Sequence, residues 1–442
     1  MDRGPFAGVM LLLVWLLTVA ARADDLERLE GLAAEVVQAG YAPGVVVGVV
    51  DPGGARFAAV GRRGPGDEPA VDPDTVFPLG SVTKTVTGLL LADLVFEGRV
   101  CLEDSLNPWG QPGIRLRDLA THTSGLPQLP QDWSPADPAD PYADYGDEAL
   151  LAWLRSVEPG PRTYSYSNVG SGLLGWLLAR SQGCTYGELV RQRIAVPLGL
   201  PTLALAGQGS AEASRARGAD VDGTPVNPWH WGALVACGGL EASPRDLARY
   251  LEYQAGLGGD NPLSAAMQRT HQPLEPTSLD GWWTGLHWMV DPTGRLIWHD
   301  GGTYGSYCLV AVDLEQRRAW LWLCNSGLWQ VPGVQSRFLE VSRGEPLQPL
   351  RLPPLAHPPP ESLQQLAGRY RGASGREFQV MSEGNCLVIQ PANLVLRPVS
   401  ANDFVLLEDD SASIHFERTP DGSGRALVVS SPEGASRAER LP

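Results

Sequence analysis

The chain has 442 residues, of which 43% are hydrophobic and 19% charged, and its formal net charge at pH 7 is −16. This length exceeds the roughly 250–300 residues at which one hydrophobic core usually stops growing, so we expect a large domain and a smaller one. The apolar content excludes a disordered or fibrous protein. The acidic balance argues against nucleic acid as a partner, because phosphate binding depends on Lys and Arg.

The N-terminus, residues 1–23, has the layout of a secretory signal. Arg3 precedes an apolar run from Phe6 to Ala20, and Ala21-Arg22-Ala23 forms a small-x-small cleavage site. We predict cleavage after Ala23, a secreted or periplasmic mature chain, and no stable membrane span after cleavage. An uncleaved anchor is the alternative, although the run is rather short for a span of about 20 residues.

The next segments predict alternating helices and strands. Periodicity indicates a helix over Leu26–Gln38, a strand over Gly44–Val50, a turn at Asp51–Gly54 with a second strand after it, and a mostly buried helix over Ser81–Glu97. Short strands return from Trp282 to Asn325. Helices bracketed by strands at both ends predict an α+β domain.

A segment rich in Pro, Asp and Tyr interrupts this pattern from Leu126 to Glu148. Long irregular insertions often border an active site, but they are also found as solvated loops. Both interpretations remain open at this point.

The cysteines show no metal-binding spacing; they are Cys101, Cys184, Cys237, Cys308, Cys324 and Cys386. Cys308 and Cys324 flank a predicted hairpin and could pair across it in an oxidising compartment. Burial as two small hydrophobic side chains is the favoured alternative.

A proline-rich stretch marks a domain boundary. Seven prolines between residues 346 and 360 predict a stiff linker, which separates residues 24–345 from residues 361–442. Short apolar runs in the second part predict a small antiparallel barrel or sandwich; they are Phe378–Val380, Cys386–Ile389, Leu394–Leu396, Phe404–Leu407, Ile414–Phe416 and Ala426–Val429.

Ser81-Val82-Thr83-Lys84 places a hydroxyl and an amine one turn apart at a helix start. A serine hydroxyl is a poor nucleophile unless a base removes its proton, and a desolvated lysine with a lowered pKa can assist. The helix N-terminus adds N–H donors where negative charge develops. The alternative is a capping serine with a surface lysine.

Two later motifs follow in the chain. Tyr166-Ser167-Asn168 offers a phenol and an amide, and a phenol beside an ammonium can ionise and act as general base; the alternative is a packed tyrosine in a turn. His299-Asp300-Gly301-Gly302 follows an apolar run, which predicts that His299 ends a strand and that the glycines admit a close ligand. Here the alternative is a turn with an exposed histidine.

This ordered trio resembles the serine β-lactamase-related hydrolases, which include class C β-lactamases, penicillin-binding D,D-peptidases, D-aminopeptidases and some esterases. The resemblance covers most of the mature chain, and three further stretches support it: Asp74–Phe77, Leu119–Pro127 and Gly238–Ala248. It implies an antiparallel sheet with a helical subdomain, and a small C-terminal β-barrel of the kind appended to some members.

By this resemblance, Ser81 attacks a carbonyl, Lys84 and Tyr166 transfer its proton, and the reaction passes through an acyl-enzyme. The substrate-binding residues implied are Asn168, His299, Asp300 and Gly301, and the oxyanion hole is formed by the N–H groups of Ser81 and Gly302. No cofactor or metal is expected, and the partner is a small-molecule or peptide substrate. His122 and Ser124 are interpreted as structural.

Asp300 departs from the pattern, because this position often carries a small or hydroxyl residue beside the substrate's carboxylate. An anionic side chain repels a carboxylate, and a largely neutral histidine at position 299 compensates less than a lysine. The hypothesis is that esters, amides or D-amino-acid derivatives without this carboxylate are better substrates than penicillins or D-Ala-D-Ala peptides.

Other functions find less support. The α/β-hydrolases need Gly-x-Ser-x-Gly, which is absent from the sequence, and the seven histidines form no His-Glu-x-x-His zinc motif. The alternative from another class is a non-catalytic protein of the penicillin-binding type that binds cell-wall peptides.

Overall fold

A computed structural model describes residues 25–209, 212–219, 224–327, 333–350, 352–383, 385–390, 394–406 and 409–442. The predicted signal segment, residues 1–23, lies outside the described residues. Within them, no helix has the length and apolar character needed to cross a membrane.

The α-helices of the described residues are α1 (25–38), α2 (Thr83–Phe96), α3 (Leu116–Ala120), α4 (Asp147–Ser156), α5 (Asn168–Ser181), α6 (Tyr186–Val190), α7 (Val196–Leu198), α8 (Pro244–Gln254), α9 (Ser264–Thr270), α10 (Val334–Arg343) and α11 (Pro360–Gln364). Short 3₁₀ segments include Gly80–Val82, directly before α2, and Gly232–Cys237.

The strands before the proline-rich stretch are β1 (Gly44–Asp51), β2 (Gly54–Gly61), β3 (Phe77–Pro78), β4 (Ser105–Leu106), β5 (Gln111–Arg115), β6 (Ala204–Leu205), β7 (Leu240–Ala242), β8 (Glu275–Pro276), β9 (Trp283–Thr284), β10 (Met289–Val290), β11 (Leu296–Thr303), β12 (Ser306–Asp313) and β13 (Arg318–Cys324). The later strands are β14 (Gly368–Gly372), β15 (Glu377–Glu383), β16 (Cys386–Gln390), β17 (Leu394–Pro398), β18 (Asp403–Leu406), β19 (Asp409–Arg418), β20 (Gly424–Ser431) and β21 (Gly434–Arg440).

A central antiparallel sheet organises the larger part of the molecule. Its eight described strands have the order β2-β1-β13-β12-β11-β10-β9-β8. β1, β12 and β13 are almost wholly apolar because both faces of the sheet are covered. One face packs on a core that includes α2, and the other packs on α1 and α10.

Helix α2 is the buried element that the sequence predicts over Ser81–Glu97, but it begins two residues later. Gly80 has φ +51, in the left-handed region, and residues 80–82 form a 3₁₀ turn before α2 starts at Thr83. Ser81 therefore lies on a tight turn above the helix. Every residue from Thr83 to Leu94 is buried.

The register of β12 and β13 excludes a disulfide between Cys308 and Cys324. Cys308 lies opposite Leu323, and Cys324 lies opposite Tyr307. This offset of one residue places the two thiols on opposite faces of the sheet, one in each core. Both are buried free thiols, as the favoured alternative predicts.

The C-terminal part is a closed antiparallel barrel of eight described strands, β14 to β21. Its interior is filled by apolar and aromatic side chains, among them Tyr370, Phe404 and Phe416. The α+β class and the barrel are confirmed. The predicted run Phe404–Leu407 corresponds to β18, although Leu407 lies outside the described residues.

The barrel contacts the face of the central sheet that carries α1. The guanidinium of Arg397 lies 5.9 Å from the Tyr41 ring centroid, and the Ala356 N–H donates to Pro398 O at 2.8 Å. Val405 joins the core around α1 and α10. These barrel contacts lie on the α1 side of the sheet. Ser81 lies on the opposite side, which is covered by α2 and the other helices of that core.

Candidate active site

The turn at Ser81 and the first turn of α2 bring a hydroxyl and an amine together. Lys84 Nζ lies 2.8 Å from Ser81 Oγ. The amine also donates to Asn168 Oδ1 at 2.8 Å and to the Cys237 carbonyl oxygen at 2.6 Å. Three acceptors thus surround one ammonium, which has three N–H donors.

Lys84 is fully buried, with 0% of its side chain exposed, so the alternative of a surface lysine is wrong. Burial lowers the pKa of Lys84 from its usual 10.5 to about 8, against an opposing influence of Asp300. The predicted lowering is therefore confirmed. When the amine loses its proton, two N–H groups remain for Asn168 and Cys237, and the lone pair faces Ser81 Oγ.

The Tyr166-Ser167-Asn168 motif lies at the start of α5. Ser167 is the N-cap: its Oγ accepts from the Gly170 N–H at 2.9 Å and donates to Pro127 O at 2.6 Å. Asn168 is the first helical residue, so its amide reaches Lys84, while Tyr166 precedes the cap. The cap therefore fixes both functional side chains.

Tyr166 interacts with the Ser81 hydroxyl, and its ring centroid lies 4.9 Å from Lys84 Nζ. Burial raises the pKa of Tyr166 well above its usual value, and the negative charge of Asp300 raises it further. The expectation that the phenol ionises as a general base is therefore wrong. A neutral phenol can still donate and relay a proton.

His122 contacts the segment that carries Tyr166. Its Nδ1 accepts from the Ser167 N–H at 3.1 Å, its carbonyl accepts from the Ser165 N–H at 2.8 Å, and its ring lies 4.6 Å from the Tyr166 ring. Burial lowers its pKa well below the usual value, so it is a neutral acceptor. These contacts hold the backbone on both sides of Tyr166 and place the His122 ring against the Tyr166 ring. Ser124 is buried nearby, and its Oγ accepts from the Leu126 N–H at 3.3 Å.

The third motif lies within β11, which runs on to Thr303, so the prediction that His299 ends a strand is wrong. The strand lies tightly against the Ser81 turn. A Cβ at Gly301 would lie 2.2 Å from Leu79 O and 2.5 Å from the Ser81 nitrogen. Only glycine allows this approach, because real Cβ atoms do not come so close to backbone.

Gly302 has a backbone N–H that is available to a ligand. β10 pairs with β11 only up to Trp298, so residues 299–303 form a free edge among the described strands. On the other edge, Thr303 and Ser306 close a two-residue hairpin, and Gly302 lies next to this closing pair. Because hydrogen-bonded pairs alternate along an antiparallel ladder, the Gly302 N–H points away from β12.

His299 is 5% exposed, so the alternative of an exposed turn histidine is wrong. Its Nδ1–H donates to the Asp300 carbonyl oxygen, which leaves Nε2 as an acceptor. Burial lowers the pKa of His299 to about 3 and raises the pKa of Asp300 to about 6. At pH 7 the motif therefore carries a neutral histidine and an ionised carboxylate.

The Pro-, Asp- and Tyr-rich insertion borders the site, which decides between its two interpretations. Tyr142 interacts with Asn168 and packs on two tryptophans, with ring centroids 4.6 Å from Trp231 and 5.4 Å from Trp229. Trp229 in turn lies 4.6 Å from Tyr304, in the turn after β11. We call these four residues the aromatic wall.

Sequence reasoning missed two contributors to the site. The Cys237 carbonyl is a backbone group and carries no residue-type signal, although it adjoins the Gly238–Ala248 stretch that the sequence singles out. Tyr142 was one tyrosine among several in an irregular segment. In the described part of the chain, no group of three His, Cys, Asp or Glu side chains is arranged to hold a metal ion.

Comparison with known proteins gives the family. The model of the Beta-lactamase family matches residues 29–340, which include Ser81, Tyr166 and His299. The D-alanyl-D-alanine-carboxypeptidase/endopeptidase AmpH of Escherichia coli K12 is 28% identical over 338 residues, which are 69% of this chain and 86% of that protein.

Two solved structures share the fold at lower identity. A class C β-lactamase from Rhodobacter sphaeroides has a TM-score of 0.61 at 24% identity, and the matched region covers 73% of this chain and 97% of that protein. The octameric penicillin-binding protein homologue from Pyrococcus abyssi has a TM-score of 0.62 at 20% identity, and the matched region covers 93% of this chain and 99% of that protein. The chain belongs to the Beta-lactamase family of serine hydrolases.

Proposed function

We propose that this protein is an exported hydrolase that cleaves ester or amide bonds through an acyl-enzyme on Ser81. The observation that carries the proposal is the contact of Ser81 Oγ with the buried amine of Lys84 at 2.8 Å. A lysine pKa of about 8 leaves about one molecule in ten with a free amine at pH 7, compared with far fewer for a lysine in water. Export rests on the sequence of residues 1–23.

In the proposed reaction, Lys84 takes the proton from Ser81 Oγ while the oxygen attacks the substrate carbonyl carbon. The negative charge on the carbonyl oxygen is held by the N–H groups of Ser81 and Gly302. The Tyr166 phenol then gives its proton to the leaving oxygen or nitrogen and regains one from the Lys84 ammonium. The carbonyl–leaving group bond breaks, and the acyl-enzyme remains.

Water completes the cycle by the reverse route. It attacks the acyl-enzyme, its proton passes to Lys84 through Tyr166, and Ser81 leaves with a proton. Asn168 orients the bound substrate, since its amide lies between Lys84 and Tyr142. The free edge at residues 299–303 supplies backbone groups for an extended substrate.

The substrate class follows from the charges. AmpH is named for action on D-alanyl-D-alanine peptides, and other relatives are named β-lactamases. Both kinds of substrate carry a carboxylate next to the scissile bond. We propose that this chain prefers esters, amides or D-amino-acid derivatives that lack it, because Asp300 is ionised at pH 7 and His299 is neutral.

Labelling of the full chain tests the proposal. A fluorescent fluorophosphonate and a labelled penicillin are reacted with wild type and with Ser81→Ala, and the adduct is located by peptide mass spectrometry. We expect a Ser81 adduct with the fluorophosphonate and a higher kcat/KM for an aryl ester than for penicillin. If neither reagent labels Ser81 while cell-wall peptide still binds, the non-catalytic alternative is correct.

A further inference from the structure

His287 lies in a segment that packs against the helix of Lys84. A Cβ at Gly88, one helical turn after Lys84 in α2, would lie 2.3 Å from the Leu286 carbonyl oxygen, so glycine is required for this approach. The next residue is also held, because the His287 N–H donates to Ala120 O at 2.9 Å. The backbone at His287 is therefore fixed relative to the helix that carries the proposed base.

The side chain of His287 connects this backbone to the segment of Tyr166 by way of His122. The ring centroids of His287 and His122 lie 5.0 Å apart, and those of His122 and Tyr166 lie 4.6 Å apart. A second contact joins the same two segments, because the Tyr164 hydroxyl lies 3.7 Å from Met289 Sδ. The His122 ring is therefore in contact with both the Tyr166 ring and the His287 ring.

The local structure of His287 is unfavourable for stability in two respects. Its φ is +66, in the left-handed region, where glycine would be less strained. It is 1% exposed, and neither ring nitrogen has a hydrogen-bond partner among the described residues. His122 has φ +57, so this contacting pair supplies two of the three non-glycine residues with positive φ in the described part of the chain. Strain of this kind is concentrated at functional sites, where the surrounding structure maintains it.

We propose that His287 is a positioning residue that acts through His122 and holds the Tyr166 phenol in place for proton transfer to the leaving group. The inference rests on the proposed function, in which Tyr166 is the proton donor. Packing of the His287 ring carries the role, since its nitrogens have no hydrogen-bond partner among the described residues. Burial lowers the pKa of His287 well below its usual value, so the ring is neutral.

Two esters of phenylacetic acid that differ only in the leaving group test the proposal. The 4-nitrophenyl ester releases a weak base, which departs without a proton donor, whereas the ethyl ester releases a strong base, which needs one. The measurement is the ratio of kcat/KM for the 4-nitrophenyl ester to kcat/KM for the ethyl ester. Because both constants come from one preparation, partial unfolding lowers both equally and leaves the ratio unchanged.

We expect His287→Gly to raise this ratio about tenfold, which is part of the roughly 10²–10⁴-fold that a positioned general acid contributes. His287→Phe keeps a planar ring and should retain the wild-type ratio. Arg317→Gly is the matched control, because Arg317 has φ +53 in the exposed turn between β12 and β13, and it should also retain the ratio. The inference is overturned if His287→Gly leaves the ratio unchanged, or if His287→Phe raises it as much as His287→Gly.

Tyr166→Phe separates this inference from the proposed function. In this variant the ratio should already be raised, and the addition of His287→Gly should raise it no further, because the donor that His287 positions is gone. A further rise of the same size means that His287 acts independently of Tyr166, which overturns the inference alone. If wild type hydrolyses neither ester, the proposed acyl-enzyme function fails; if Tyr166→Phe leaves the ratio unchanged, its proton-donor step fails, and the inference falls with either.

Discussion

The pH dependence of acylation follows from the burial of Lys84. The buried amine has a pKa of about 8 instead of 10.5, a difference that corresponds to about 3 kcal/mol between its two protonation states. The free amine is the form that can take the Ser81 proton. Its fraction is about 0.01 at pH 6, about 0.1 at pH 7 and one half at pH 8.

We therefore expect kcat/KM for a neutral aryl ester to rise about tenfold per pH unit below pH 7 and to level off above about pH 9. The measurement is kcat/KM between pH 6 and 10, with spontaneous hydrolysis and the Ser81→Ala rate subtracted, because kcat/KM reports groups of the free enzyme. A flat profile, or a midpoint near pH 10, would refute the assignment of Lys84 as the base.

Asp300→Asn provides a second perturbation of the same profile. Asp300 raises the pKa of Lys84 because an anion stabilises the ammonium. Removal of this charge should move the midpoint to lower pH. The titration of Asp300 itself, with a pKa of about 6, is also removed, so any part of the rise that persists belongs to Lys84. A midpoint that moves to higher pH contradicts the charge assignment.

Three further substitutions test the geometry. Gly301→Ala should lower kcat/KM by more than about 100-fold, because its Cβ collides with backbone beside Ser81, whereas Gly31→Ala in α1 meets no atom within 4 Å and should leave activity unchanged. Tyr142→Phe should lower kcat/KM about fivefold with little change in Tm, since it removes one neutral hydrogen bond. His122→Phe should leave the Ser167 N–H unpaired, which costs about 1–3 kcal/mol in chemical denaturation and lowers kcat more than it raises KM.

The sequence predicts the local half of the site well, because Ser81 and Lys84 are one helical turn apart. Their meeting with Asn168, 84 residues after Lys84, is a tertiary fact that only the family resemblance anticipated. The ionisation of Tyr166 was predicted wrongly for a related reason. The sequence motifs indicate that an ammonium lies beside a phenol. The direction in which the Tyr166 pKa shifts, however, depends mainly on how deeply the phenol is buried, and burial is not visible in the sequence.

The barrel shows a similar limit. Strands β15 to β20 each contain an apolar run that is visible in the sequence. The first and last strands of the barrel, β14 and β21, instead have the sequences Gly-Arg-Tyr-Arg-Gly and Gly-Ala-Ser-Arg-Ala-Glu-Arg. Within these two strands, Tyr370 and Ala438 face the barrel core. The two strands pair with each other and close the barrel through backbone hydrogen bonds, for which polar residues serve as well as apolar ones.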